Sequence, residues 1–179
     1  MITGGSGTIG FAIAEAFSKL GAQTVLVDKN ETSLKEAITK LGYGHGYFPI
    51  DVTEADAADQ AMLAAIKNFG GLDILVSNAG AAHAGPMLSI SNDELRNAFE
   101  LNFFSHYSFA TEAAKILRNQ NRGGQILFNI SKQAVNPGKN FGAYGLPKAT
   151  TFFLMRQLAL ELGSDGIRVN GVNADRIRS

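Results

Sequence analysis

Apolar positions along the chain fall into two alternating rhythms. Ile9, Ala12, Ile13, Ala16, Phe17 and Leu20 recur at steps of three and four residues, the spacing of one helix face, and Gly21 supplies a stop. Thr24-Val25-Leu26-Val27 then reads as a strand buried on both faces, ending at Asp28. The pattern predicts a helix over 31–41, a short strand over 47–50, a helix closed by Gly70-Gly71 and a strand over 72–76. Thr53 and Asp56 predict a capping box for the third helix, with aspartate in place of the usual glutamate. Ser91 and Glu94 predict a full box that opens a long helix toward Asn119. A strand over 126–130, a helix from near Tyr144 to near Gly163 and a strand starting at Ile167-Arg168-Val169 complete the series.

Strands alternating with helices of this length imply right-handed crossovers and a parallel sheet covered on both faces. The fold class expected is therefore α/β: a doubly wound, Rossmann-type sheet in three α/β/α layers, forming one dinucleotide-binding domain over residues 1–179. Ligands of such sheets bind beyond the carboxyl ends of the strands. Only Met1-Ile2 precede the first glycine-rich turn, and the chain stops at Arg178-Ser179 just after a strand. Part of the first strand and the C-terminal region are accordingly expected to be missing.

Composition narrows the function classes. A chain of 179 residues with 45% hydrophobic content can build a sizeable core. Its 16 basic residues balance 16 acidic ones, so charge offers no reason to expect nucleic acid or an anionic membrane as partner. The absence of cysteine excludes disulfides, thiolate metal sites and cysteine nucleophiles. His45, His83 and His106 lack metal-ligand spacing and read as ordinary residues, so no metal is expected. No apolar run approaches the ~20 residues of a bilayer span, and no signal-peptide pattern opens the chain. A reduced, cytoplasmic protein is the expectation.

The candidate chemistry sits at strand ends. Thr3-Gly4-Gly5-Ser6-Gly7-Thr8-Ile9-Gly10 links the first strand to the first helix. Glycines there allow a sharp turn and close approach to a pyrophosphate, while free N–H groups of the helix start attract its charge. Gly4, Ser6, Thr8, Ile9 and Gly10 are the candidates. Asp28, ending the second strand, can accept hydrogen bonds from an adenosine ribose and repels a 2′-phosphate, which favours NAD over NADP. Tyr144 and Lys148 lie four apart on one helix face, and an ammonium beside a phenol favours the phenolate. Ser131 follows a strand and either holds a substrate oxygen or bonds its own backbone. Asn102 interrupts the stripe Leu95, Phe99, His106, Phe109 and Ala113, where an amide must be paired or belong to a polar site.

Taken together these residues resemble the short-chain dehydrogenase/reductase family over essentially the whole chain. The matches run in family order: Thr3-Gly4 to Gly10, Asp28, Asp51-Val52, Ser77-Asn78-Ala79-Gly80, Asn102, Ser131, Tyr144 with Lys148, and Arg168-Val169-Asn170. The resemblance implies that Asp51 and Val52 contact adenine and that Asn78, Ala79 and Gly80 support the central strand beside the cofactor. It also implies a catalytic tetrad of Asn102, Ser131, Tyr144 and Lys148. Tyr144 would be the general acid/base, Ser131 would position the substrate oxygen, Lys148 would bind the nicotinamide ribose, and Asn102 would anchor a water-linked proton relay.

Three departures stand out. Thr8 occupies a position where the compact branch usually has glycine, so the Gly4, Gly7, Gly10 spacing is similar to that of the extended branch. Pro147 precedes the lysine, which predicts that Tyr144 lies at a helix start. Val172-Asn173-Ala174-Asp175 replaces the family's usual Pro-Gly. The stretch from Ser131 to Phe141 resembles the dehydrogenase domains fused behind class II aldolase domains, which act on small aldehydes or hydroxy compounds. Lys132 and Lys139 within it read as solvated loop lysines, with an anionic substrate as the alternative. The function expected is oxidoreduction of a small alcohol or carbonyl with NAD(P). An extended-type epimerase or dehydratase and a non-catalytic NAD-binding scaffold are the alternatives. A homodimer or homotetramer built on helices near 92–119 and 145–162 is also implied, with Phe103, Phe104, Tyr107, Phe152 and Phe153 as surplus apolar surface.

Overall fold

The computed structural model describes residues 1–175; the expected chain end at Arg178-Ser179 lies outside them. Its strands are β1 (Ile2–Thr3), β2 (Val25–Asp28), β3 (Gly46–Pro49), β4 (Ile74–Ser77), β5 (Gly124–Asn129) and β6 (Ile167–Val172). They form one sheet in the order β3-β2-β1-β4-β5-β6, and every neighbouring pair is parallel. The chain leaves β1 toward one edge and returns at β4 to build toward the other. That reversal opens a crevice above β1 and β4, where doubly wound sheets take their ligands.

Helices cover both faces, as the unbroken apolar strands require. On one side α1 (Thr8–Lys19) and α2 (Glu31–Leu41) close over Ile2, Leu26 and Val76. On the other, α3 (Ala57–Phe69), α5 (Ser105–Gln120) and α6 (Gly142–Leu162) pack through Ala61, Phe109, Ala113 and Leu158 against Val27, Leu75 and Ile126. Among the described residues no helix is long and apolar enough to cross a membrane.

Ends of elements follow local hydrogen bonding, with one failed expectation. Ser91 and Glu94 form both bonds of the capping box at the start of α4 (Asn92–Phe99). Thr53 and Asp56 form none. Asp51 lies only two residues before Thr53 and captures its N–H (3.1 Å) and hydroxyl (2.8 Å), while the Asp56 carboxylate accepts from Gln60.

Two helices depart from regularity where chemistry was expected. The long helix predicted toward Asn119 is broken between α4 and α5 by a π-helical turn, Glu100–Phe104. There the Ser105 N–H reaches back five residues to Glu100, and the Ser105 hydroxyl donates to the Leu101 carbonyl instead (2.6 Å). Asn102 sits inside that turn. In α6, Pro147 stands in the second turn rather than the first. The helix is launched earlier, by the N–H groups of Tyr144 and Gly145 bonding to the Phe141 carbonyl (3.2 and 2.7 Å). Tyr144 nonetheless lies in the first turn.

Candidate active site

A cleft of about 450 Å³ opens at the carboxyl ends of the strands. Gly4, Thr8, Ile9 and Gly10 line it from the β1–α1 loop. Asp28, Asp51 and Val52 close one end; Asn78, Ala79, Gly80, Tyr144 and Lys148 close the other. Ser6, Asn102 and Ser131 stand outside this lining.

The loop folds down on the helix it opens. Gly4 has φ +62°, and a Cβ on Gly10 would lie 2.1 Å from the Gly4 carbonyl oxygen, so only glycine fits there. A Cβ on Gly7 would meet that oxygen at 3.4 Å, an ordinary contact. Gly7 is the N-cap of α1 and offers no side-chain cap, so the N–H groups of the first turn are left for an anion in the cleft. Ser6 donates its N–H (3.3 Å) and its hydroxyl (2.7 Å) to Asp28, which fixes the carboxylate at the end of β2. The Thr53 N–H holds the Asp51 carboxyl below the usual carboxylate range, with Lys29 3.7 Å away.

The two halves of the sheet are stitched by amides. Thr3 Oγ1 accepts from the backbone N–H groups of Asn78 (2.9 Å) and Ala79 (3.0 Å). Asn78 Nδ2 donates to the carbonyls of Thr3 (2.9 Å) and Gly4 (3.3 Å), and Asn129 Nδ2 donates to Asn78 Oδ1 (2.9 Å).

Lys148 is 2% exposed. Its ammonium donates to the Asn129 carbonyl at 2.9 Å and lies 5.8 Å from the centre of the Tyr144 ring. Burial brings its pKa down to about 8. Asn102 is 1% exposed and is paired through one end of its amide. Its Nδ2 donates to the carbonyls of Ala81 and Ala98 (3.1 Å each), while its Oδ1 has no partner among the described residues. Ser131 accepts from the Gln133 N–H (3.2 Å), which leaves its own proton free to donate.

Gly80 is the wall between these groups. A Cβ there would lie 2.8 Å from Asn102 Oδ1 and 3.4 Å from Lys148 Nζ. Gly80→Ala is expected to cost about 1–3 kcal/mol by overpacking, read as a lowered Tm, and to displace Asn102. An unchanged Tm would show that the wall yields freely.

Reading the sequence alone misses two members of this region. Asn129 carries the Lys148 carbonyl contact and the amide stitch. His106, which reads as ordinary, is buried with Lys148 Nζ 3.4 Å from its Nε2 and Ser77 Oγ 2.6 Å from its Nδ1. The available signal is spacing: His106 lies one helical step beyond Asn102 on the same stripe.

The fold and cleft define a doubly wound sheet with a glycine cradle at its switch point. The chain belongs to the short-chain dehydrogenase family, whose sequence profile matches residues 1–179. It is 35% identical over 182 residues to "Uncharacterized oxidoreductase YuxG" of Bacillus subtilis (strain 168), covering 99% of this chain but 26% of that protein. It therefore spans about a quarter of that relative's length. Identity to 7alpha-hydroxysteroid dehydrogenase of Escherichia coli (strain K12) is 34% over 175 residues, covering 96% of this chain and 68% of that one. Among solved structures, NAD+-bound xylitol dehydrogenase superposes with a TM-score of 0.95 at 26% identity, covering 99% of this chain and 70% of the other. The NADH complex of 3-ketoacyl-(acyl-carrier-protein) reductase from Brucella melitensis gives 0.94 at 26%, covering 97% and 74%.

Proposed function

We propose that the chain is the cofactor-binding and catalytic domain of an NAD-dependent oxidoreductase that interconverts a small alcohol with its aldehyde or ketone. The observation that carries this reading is the buried Lys148 ammonium, held by the Asn129 carbonyl beside Tyr144 at the edge of a glycine-cradled cleft.

The residues fit a dinucleotide. The tight β1–α1 turn, which packs down on the helix start at Gly10, with the uncapped N–H groups of α1, suits the pyrophosphate. Asp28, pre-positioned by Ser6, suits the adenosine ribose, and Asp51 with Val52 borders the same end. Asp28 also opposes a 2′-phosphate, which favours NAD over NADP. Once bound, the nicotinamide supplies the hydride acceptor or donor.

In the oxidising direction Tyr144 takes the proton from the substrate hydroxyl, and in the reducing direction it returns one to the carbonyl oxygen. Lys148 stabilises the phenolate from which Tyr144 starts in the oxidising direction and which it leaves in the reducing one. Ser131 donates its free proton to the substrate oxygen, and the unpartnered Asn102 Oδ1 accepts from a water-linked relay beside Lys148. Exposed rings of Phe104 in the π turn, Tyr107 on α5 and Phe153 on α6 support assembly of a homodimer or homotetramer through these elements. The resemblance of 131–141 to aldolase-fused dehydrogenases, with the partial coverage of YuxG, supports a place within a longer protein acting on small aldehydes or hydroxy compounds.

Incubation with NAD+ or NADP+ and a panel of small alcohols, followed by absorbance of the reduced cofactor, tests this reading. Turnover is expected with NAD+ in preference to NADP+, and Asp28→Ala is expected to narrow the preference. Absence of turnover with every alcohol, and in reverse with every small aldehyde, would remove the catalytic reading.

A further inference from the structure

Directly beneath the cleft, three covered polar side chains from three elements meet. Ser77 ends β4, His106 lies on α5 and Lys148 on α6; they are 1%, 1% and 2% exposed. The acid–base scheme uses Lys148 and leaves the other two without a role. Burying an imidazole and a hydroxyl here costs desolvation that an apolar pair would avoid. The Phe128 ring, centred 6.1 Å from that of His106, shows that the surroundings are otherwise core.

The count of protons fixes what His106 does. An ammonium has three donors and no acceptor, so the imidazole nitrogen it meets must present a lone pair. That nitrogen is Nε2, 3.4 Å from Lys148 Nζ. With Lys148 charged, this assigns the ring proton to Nδ1, which then donates to Ser77 Oγ at 2.6 Å. A protonated imidazole would set two cations face to face. Burial, and then the Lys148 charge, hold the His106 pKa well below its ordinary value, against a smaller opposing pull from the Ala79 backbone. Of the three ammonium protons, one goes to the Asn129 carbonyl and one to His106. The third is left for the side bounded by Gly80 and the cleft.

We propose that His106 is a positioning residue for Lys148: its neutral imidazole, set by Ser77, accepts from the ammonium and aims the remaining N–H into the cleft. The inference rests on the reading of Lys148 as partner of Tyr144. A merely space-filling histidine would leave the ammonium indifferent to its replacement. The titratable groups facing Lys148 are His106 from α5 and Tyr144 from its own helix. Asn129, Gly80 and Asn102, which approach from β5, the loop after β4 and the π turn, are neutral.

The test is NMR on the full chain with 15N-labelled histidine and 13C,15N-labelled lysine, without substrate or cofactor. Its outcome is therefore independent of whether turnover is found. In the parent, His106 is expected to show a protonated Nδ1 and a bare Nε2 throughout neutral pH. His106→Leu removes the acceptor and should lower the Lys148 titration midpoint by about one unit, the scale of a lost hydrogen bond to a charged donor. His106→Gln keeps an acceptor near the Nε2 position and should restore a midpoint close to the parent's. A protonated Nε2, or a Lys148 midpoint equal in the parent and His106→Leu, overturns the proposal. Should His106→Leu fail to fold, the parent's nitrogen assignment decides it, together with whether His106→Gln holds the parent's midpoint.

Discussion

Tyr144→Phe is expected to lower kcat by about 10²–10⁴-fold, the usual contribution of a positioned acid–base group. The substitution deletes one oxygen and leaves the ring. That ring borders the cleft from the first turn of α6, beside the ammonium 5.8 Å from its centre. Cofactor affinity should change by far less than kcat, because the glycine cradle and Asp28 lie at the other end of the cleft. Stability should be nearly unaffected, since the Tyr144 hydroxyl takes no part in the hydrogen bonds that hold the sheet ends together. Steady-state kinetics with a titration of NAD+ separates these effects. Full activity in Tyr144→Phe would refute the proposed mechanism, and a loss in NAD+ affinity with kcat unchanged would make the residue a binding group only.

Gly10→Ala has the second large effect, and it falls on binding and stability together. The added carbon would stand 2.1 Å from the Gly4 carbonyl oxygen and 2.9 Å from the Gly5 Cα, both of which belong to backbone. No side-chain rotation relieves such a contact, so the loop must lift off the start of α1. A loss on the order of 3 kcal/mol is expected for enforced overpacking of this kind, visible as a Tm lowered by roughly 6–12 °C for a chain of this size. Lifting the loop also turns the α1 N–H groups away from a bound pyrophosphate, so NAD+ affinity should fall by at least about tenfold. Gly7→Ala is the control, because its added carbon meets only an ordinary contact. Equal damage from the two would show that steric fit at Gly10 is not the cause.

That contrast between Gly7 and Gly10 also shows where sequence reading reaches its limit. The fold class is legible because unbroken apolar strands and 3.6-residue helical spacing leave few arrangements other than a parallel sheet covered twice. The glycine spacing looks like evidence for a different branch of the family, yet Gly7 is under no steric compulsion. Helix starts are legible where the cap stands alone, as at Ser91. They are obscured at Thr53 because Asp51, two residues away, competes for the same groups.

In the site, spacing along one helix reveals what one helix arranges. Tyr144 and Lys148 share α6, and Asn102 betrays itself by its apolar stripe. What Asn129 and Ser77 contribute depends on strands that meet only after folding, β5 beside β4 and β4 beside β1. The π turn that sets Asn102 is a matter of which carbonyl Ser105 chooses, and residue type alone does not announce it.

The pair of amides between β1 and β5 has a mechanical consequence. Asn78 grips the carbonyl of Gly4 with one end and receives Asn129 with the other, and the Asn129 carbonyl bears Lys148. The β1–α1 loop and Lys148 are thus joined through two side chains into a single strut. A shift of the loop would therefore pull on a chain of hydrogen bonds that ends at the Lys148 ammonium.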